Sequence, residues 1–112
     1  MCQPIDNARK AGGLPLIRAL VADLNYELCS HAQDGVENND FDPEDLEASI
    51  NNGDIQKTEA DELANSLGNK KYTIVGRSTC GRLLYSVGKI VCYPEGLTYR
   101  FISIKCYEVN YE

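Results

Sequence analysis

The chain has 112 residues, 43% of them hydrophobic and 25% charged, with a formal net charge of −6. That length suits one domain of the usual roughly 100–200 residues, and the apolar share excludes a disordered or collagen-like chain. Uncharged apolar runs stop at about four residues, as at Ile90 to Tyr93, where roughly 20 are needed to cross a bilayer.

The opening Met-Cys-Gln-Pro-Ile-Asp lacks the basic, apolar, small-residue order of a signal peptide, so a cytoplasmic protein away from membranes is expected. Charge divides along the chain. Residues 1–69 carry four basic against 14 acidic groups, and residues 70–112 carry seven against three. An acidic half keeps such a protein in solution while a basic half can meet an anion or an acidic partner. The five cysteines are odd in number, widely spaced and without a C-x-x-C, which makes no disulfide scaffold. Cys29 and His31 form a C-x-H pair, two ligands where a closed zinc site needs four, so Cys29 reads as filler of a helix–sheet contact. No metal or other cofactor is expected.

Residues 1–12 show no periodicity and read as a loose leader to a single α+β domain over 13–112. Leu14, Ile17, Leu20, Val21, Leu24 and Leu28 recur at helical spacing behind Pro15 and predict a helix over about 14–31. Asp34-Gly35 marks a turn. Asp42-Pro43-Glu44-Asp45 then reads as an Asp cap, a first-turn proline and acids facing the positive end of the dipole, and Asn51-Asn52-Gly53 as the exit of a helix over 43–52. Ile55 to Thr58 suits a short strand, and the polar stretch 59–69 a loop or one irregular helical turn. Strands follow at Lys71–Gly76, Arg82–Tyr93 and Thr98–Val109, separated by turns at Ser78–Gly81 and Pro94–Gly96. Two N-terminal helices packed on an antiparallel, mainly three- to four-stranded sheet are therefore expected.

The turn positions set a register. Centring the first turn between Thr79 and Cys80 places Val75 opposite Leu84, and centring the second near Glu95 places Leu84 beside Cys106 and Tyr85 beside Lys105. One face then holds Val75, Leu84, Ile102, Ile104 and Cys106 for burial. The other holds Tyr72, Tyr85, Phe101, Lys105 and Tyr107 with Ile74, Leu83 and Val87, and a one-residue slip exchanges the two. Such an aromatic face suits base stacking, a protein contact or plain packing.

Several fragments, taken in order, resemble domain-of-unknown-function family 4258. They are Cys29-Ser30-His31-Ala32, Phe41 to Glu47, Ile50 to Gly53, Tyr72 to Gly76, Gly81 to Tyr85 and Ile102-Ser103-Ile104. That family is similar to the BrnT toxins and, more distantly, to the RelE/ParE toxin superfamily. His31-Ala32 matches its S-x-H-A opening, and Gly76-Arg77-Ser78 with Gly81-Arg82-Leu83-Leu84 matches its G-R-T-x-x-G-R-x-L hairpin. Gly35 and Asn39 stand where the family shows basic residues.

The resemblance implies a RelE/BrnT-like fold and, as one function, a ribonuclease toxin of a toxin–antitoxin pair. Its partners would be an antitoxin or other protein, RNA, or a second copy. Cleavage through the 2′-hydroxyl needs a proton acceptor, a proton donor and cations on the phosphorane-like charge. The candidate catalytic residues are His31, Arg77, Arg82 and Tyr85, and the candidate substrate-binding residues Arg100, Lys105 and Tyr107. The alternative is a catalytically inactive module that binds a protein through the aromatic sheet face. The absence of G-x-G-x-x-G and G-x-x-x-x-G-K-[ST] speaks against a dinucleotide site or a P-loop.

Overall fold

A computed structural model describes residues 13–60 and 70–106. The expected leader, the 61–69 part of the loop, Tyr107 and the end of the last strand lie outside these residues. Within them the order is α1 (Leu14–Ala22), β1 (Tyr26–Leu28), α2 (Ser30–Asn38), α3 (Pro43–Asn52), β2 (Asp54–Ala60), β3 (Lys70–Arg77), β4 (Leu83–Tyr93) and β5 (Gly96–Cys106). The strands form one mixed five-stranded sheet in the order β1-β5-β4-β3-β2, with only β1 and β5 parallel. The α+β class stands, with three helices and five strands among the described residues where two helices and three to four strands were expected.

The expected helix over 14–31 is in fact two helices with a strand between them. α1 stops because Leu24 takes φ 63, the left-handed conformation. Asn25 N–H then donates to Leu20 O at 2.8 Å and Leu24 N–H to Val21 O at 3.0 Å, the paired bonds of a Schellman end. Leu24 is 67% exposed, so the helical spacing of Leu24 and Leu28 reflects no shared buried stripe. Freed from the helix, Tyr26 to Leu28 pairs with Tyr99 to Phe101 along the free edge of β5. α2 ends in the same manner: Asp40 has φ 61, and Phe41 N–H reaches Val36 O at 3.0 Å, with both Val36 and Phe41 buried.

A branched side chain at the left-handed position of α1 is strained, whereas glycine is not. Leu24→Gly is therefore expected to raise stability by about 1 kcal/mol, read as a higher urea midpoint with an unchanged slope.

α3 forms as its cap signals predict. Asp42 Oδ1 accepts from Asp45 N–H at 3.1 Å, and Asp45 Oδ2 accepts from Asp42 N–H at 3.0 Å, a reciprocal capping box. At its other end Arg18 of α1 donates to Ile50 O (3.2 Å) and Gly53 O (2.8 Å), so a guanidinium meets the carbonyl end of the helix dipole.

The β3–β4 register differs from the expected one by a single residue. Val75 faces Tyr85 and Gly76 faces Leu84, while β4–β5 keeps Leu84 beside Cys106 and Tyr85 beside Lys105. A bulge follows: Val87 faces Ser103 and Gly88 faces Phe101, so Ile102 has no partner of its own. The slip turns Tyr72 and Ile74 inward, and the bulge turns Phe101 and Tyr99 inward beside Ile104. The expected aromatic outer face is thereby corrected. Tyr72, Tyr99 and Phe101 are core, closing with Ile17, Leu20, Leu46, Ile50 and Leu84 under the helices. Tyr99 fits because Gly88 offers no Cβ beneath its ring.

Cys29 fills the α2–β5 junction as expected, its Sγ 3.1 Å from Ile102 O. Cys29, Cys80 and Cys106 are free thiols, whereas Cys92 is disulfide-bonded, a single bridge rather than a scaffold. An odd cysteine count does not forbid one pair.

Candidate functional site

The β3–β4 turn carries the glycine–arginine motifs, and its residues are joined mainly to one another. Ser78 N–H donates to Arg82 O at 2.8 Å, Gly81 N–H to Ser78 O at 3.0 Å, and Arg82 N–H to Ser78 Oγ at 3.1 Å. Asp45, buried at the start of α3, anchors this turn by accepting from Thr79 N–H (3.0 Å) and Thr79 Oγ1 (2.7 Å). Burial alone would raise the Asp45 pKa, but the Thr79 and Asp42 hydrogen bonds outweigh it and hold the carboxyl below its ordinary value. On the strand side, Asn52 brackets Arg77, accepting its N–H at 2.8 Å and donating to its carbonyl at 3.0 Å.

The two arginines do not converge as a phosphate clamp. Arg77 Nη1 donates back to Gly81 O at 2.9 Å, closing the turn. Arg82 stacks 4.5 Å above the ring of Phe41, a cation–π contact on a buried side chain. Both groups therefore bind the hairpin to itself and to the α2–α3 corner.

His31 stands elsewhere. It is exposed in the first turn of α2, two residues after Cys29, whose N–H pairs with Phe101 O. The expectation of a histidine at a helix C-terminus beside the sheet site is therefore corrected: the residue opens a helix. Cys29, two residues before it, meets Phe101 of β5, whose partner on β4 is Gly88, six positions or about 20 Å at ~3.3 Å per residue from Arg82.

Of the remaining candidates, Tyr85, Arg100 and Lys105 are on the sheet face turned away from the described helices. Three rows of side chains cross it. Lys105, Tyr85, Val75 and Asp54 form one, and Ser103, Val87, Thr73 and Lys57 the next. The third runs Glu27, Arg100, Lys89, Lys71 and Glu59, three cations between two terminal carboxylates. Lys105 Nζ lies 5.9 Å from the Tyr85 ring centroid. Arg100 Nη1 is 3.6 Å from Glu27 Oε2, which also accepts from Tyr93 Oη at 2.6 Å; that bond raises the Tyr93 pKa. Lys57 pairs with Glu59 at 3.0 Å. Lys89 and Thr73 are buried, while Lys57 and Lys105 are exposed and Val75, Tyr85 and Val87 half-buried.

The structure thus brings Tyr85 and Lys105 together, leaves Arg77 and Arg82 in turn-building roles, sets Arg100 on Glu27, and separates His31 from all of them. Tyr107 is outside the described residues. Lys57, Lys71 and Lys89 were missed as members of this face, although the alternation of Lys71, Thr73 and Val75 was a legible signal once the register was right. Asp45 was read only as a first-turn acid, and its bond to Thr79 across the fold has no local signature.

Between α1 and α3 lies a cleft of about 300 Å³ lined by Arg18, Val21, Ala22, Glu47, Ala48, Ile50 and Asn51. Its charged groups are engaged, Arg18 with α3 carbonyls and Glu47 with Tyr26 Oη at 2.7 Å. Burial and that carboxylate together push the Tyr26 phenol well above its ordinary range. Among the described residues no group of three or more His, Cys, Asp or Glu is placed to hold a metal, and no helix is long and apolar enough to cross a membrane.

Compared with protein-family models, curated proteins and solved structures, the chain matches none.

Gly35 has no room for a side chain. It sits where α2 comes closest to β5, and a Cβ there would overlap Ile104 O.

Proposed function

We propose that the chain is a BrnT/RelE-like domain that works by binding a protein partner through its outward sheet face, and that it does not cut RNA. The observation carrying this reading is the division of the candidate catalytic groups. His31 is at the start of α2, Arg77 and Arg82 are engaged in the β3–β4 turn, and Tyr85 with Lys105 is on the outward face. Acid–base cleavage requires donor, acceptor and cations within hydrogen-bond reach of one phosphate, about 3 Å each, whereas His31 is on a helix packed against one side of the sheet and Tyr85 and Lys105 face the other. The likeness to BrnT and RelE rests on the motif fragments, and helices gathered on one side of a sheet are compatible with it.

The ribonuclease reading keeps one observation in its favour, that Arg77 and Arg82 share a turn. Incubating the purified protein with single-stranded RNA and with translating ribosomes separates the two. Intact RNA, with the wild type indistinguishable from R77A/R82A, is the expected result. Cleavage that the double variant loses would overturn the binding reading.

A further inference from the structure

We infer that the occupant of the outward sheet face is an acidic segment of another protein, seated on Val75, Tyr85 and Val87 between Lys57 and Lys105. This rests on the binding reading above and names its partner. The fold separates charge into layers. Over residues 13–52, which supply the helices, Arg18 is the one basic residue besides His31, against nine carboxylates. The described strands that follow carry seven lysines and arginines against two acids. Lysines from β2 and β5 bracket the patch from opposite sides: Lys57 is at the end of the Val87 row and Lys105 at the end of the Tyr85 row. Half-buried Val75, Tyr85 and Val87 lie between them as an apolar floor.

The same details choose protein over nucleic acid. A single-strand platform needs successive rings for successive bases. Here Tyr72, Tyr99 and Phe101 are in the core and Tyr93 is held by Glu27, which leaves Tyr85 as the one ring in the patch among the described residues. Asp54 and Glu59 also stand among the lysines, where a continuous phosphate backbone would meet them. A protein segment escapes both difficulties. It places apolar side chains on the floor and separate carboxylates on the lysines, the pairing of apolar centre and charged rim that protein interfaces use.

The test uses two probes, a fluorescent twelve-residue peptide alternating glutamate with leucine and a twelve-nucleotide polyuridine RNA. Binding is read by anisotropy and located by backbone amide shifts on the full chain. Peptide binding that weakens at least tenfold in K57E/K105E and with added salt, and that shifts Val75, Tyr85 and Val87, is expected. Both lysines are exposed, so the variant keeps its fold, which its far-ultraviolet circular dichroism checks. Tighter binding of the RNA at these residues, or no peptide-dependent shift there, overturns the inference. With RNA left intact in the cleavage assay, that failure touches the partner's chemistry alone. Cleavage of RNA would instead remove the binding reading itself.

Discussion

Gly35→Ala is expected to destabilise the protein by about 2 kcal/mol, lowering the melting temperature by roughly 10 °C. Two effects oppose each other. Alanine is the better helix former by ~1 kcal/mol, which favours the variant. The added methyl, however, would occupy the position of Ile104 O, and a backbone carbonyl in a β5 ladder has little freedom to yield. Overpacking of this kind costs about 3 kcal/mol where the backbone must shift, so the steric effect prevails. Gly35→Arg, which places a longer side chain at the same contact, is expected to be worse still. Thermal unfolding followed by circular dichroism measures both; an unchanged or raised melting temperature would mean that α2 does not approach β5 this closely.

The second large effect belongs to Asp45. Asp45→Ala removes half of the capping box, worth about 1 kcal/mol, and strips Thr79 N–H and Oγ1 of their acceptor, worth about 2 kcal/mol more. A loss of roughly 3 kcal/mol is expected, large beside the typical 5–15 kcal/mol of a domain. The pH dependence has a definite sign. The folded-state pKa of Asp45 is lowered, so its stabilisation is fully present above the ordinary carboxylate value and fades as the pH falls below about 4. Denaturation midpoints of wild type and D45A should therefore differ most at neutral pH and converge towards pH 2. Parallel curves across that range would show that Asp45 is not the titrating group.

The same two residues show how far the fold was readable. The α3 boundaries came directly from local chemistry, because Asp42, Pro43 and Gly53 act on their own backbone neighbours. The division of the expected first helix was not readable in that way. Leucine at a left-handed position has no local signature, and β1 exists because β5 offers it an edge. Likewise the β3–β4 register turned on one residue of turn length, and the β4–β5 bulge then carried Phe101 and Tyr99 from the expected outer face to the core.

Of the candidate site, the pairing of Tyr85 with Lys105 followed from the second turn, and it is present. The arginines were visible as a motif, but their employment on Gly81 and Phe41 depends on the α2–α3 corner folding against the turn. His31 was misplaced because the helix that was to carry it to the sheet ends nine residues earlier, at Ala22. Motif spacing records which backbone geometry is required; whether a guanidinium in that motif faces substrate or its own hairpin is decided by elements far away in sequence.

Controlled expression of the wild type and R77A/R82A in a bacterial host, scoring growth and total RNA integrity, tests the central claim most directly. Uninterrupted growth with intact RNA from soluble, folded protein in both cases is the predicted result. Growth arrest with RNA fragmentation by the wild type, lost in the double variant, would contradict it and place a catalytic site at the β3–β4 turn.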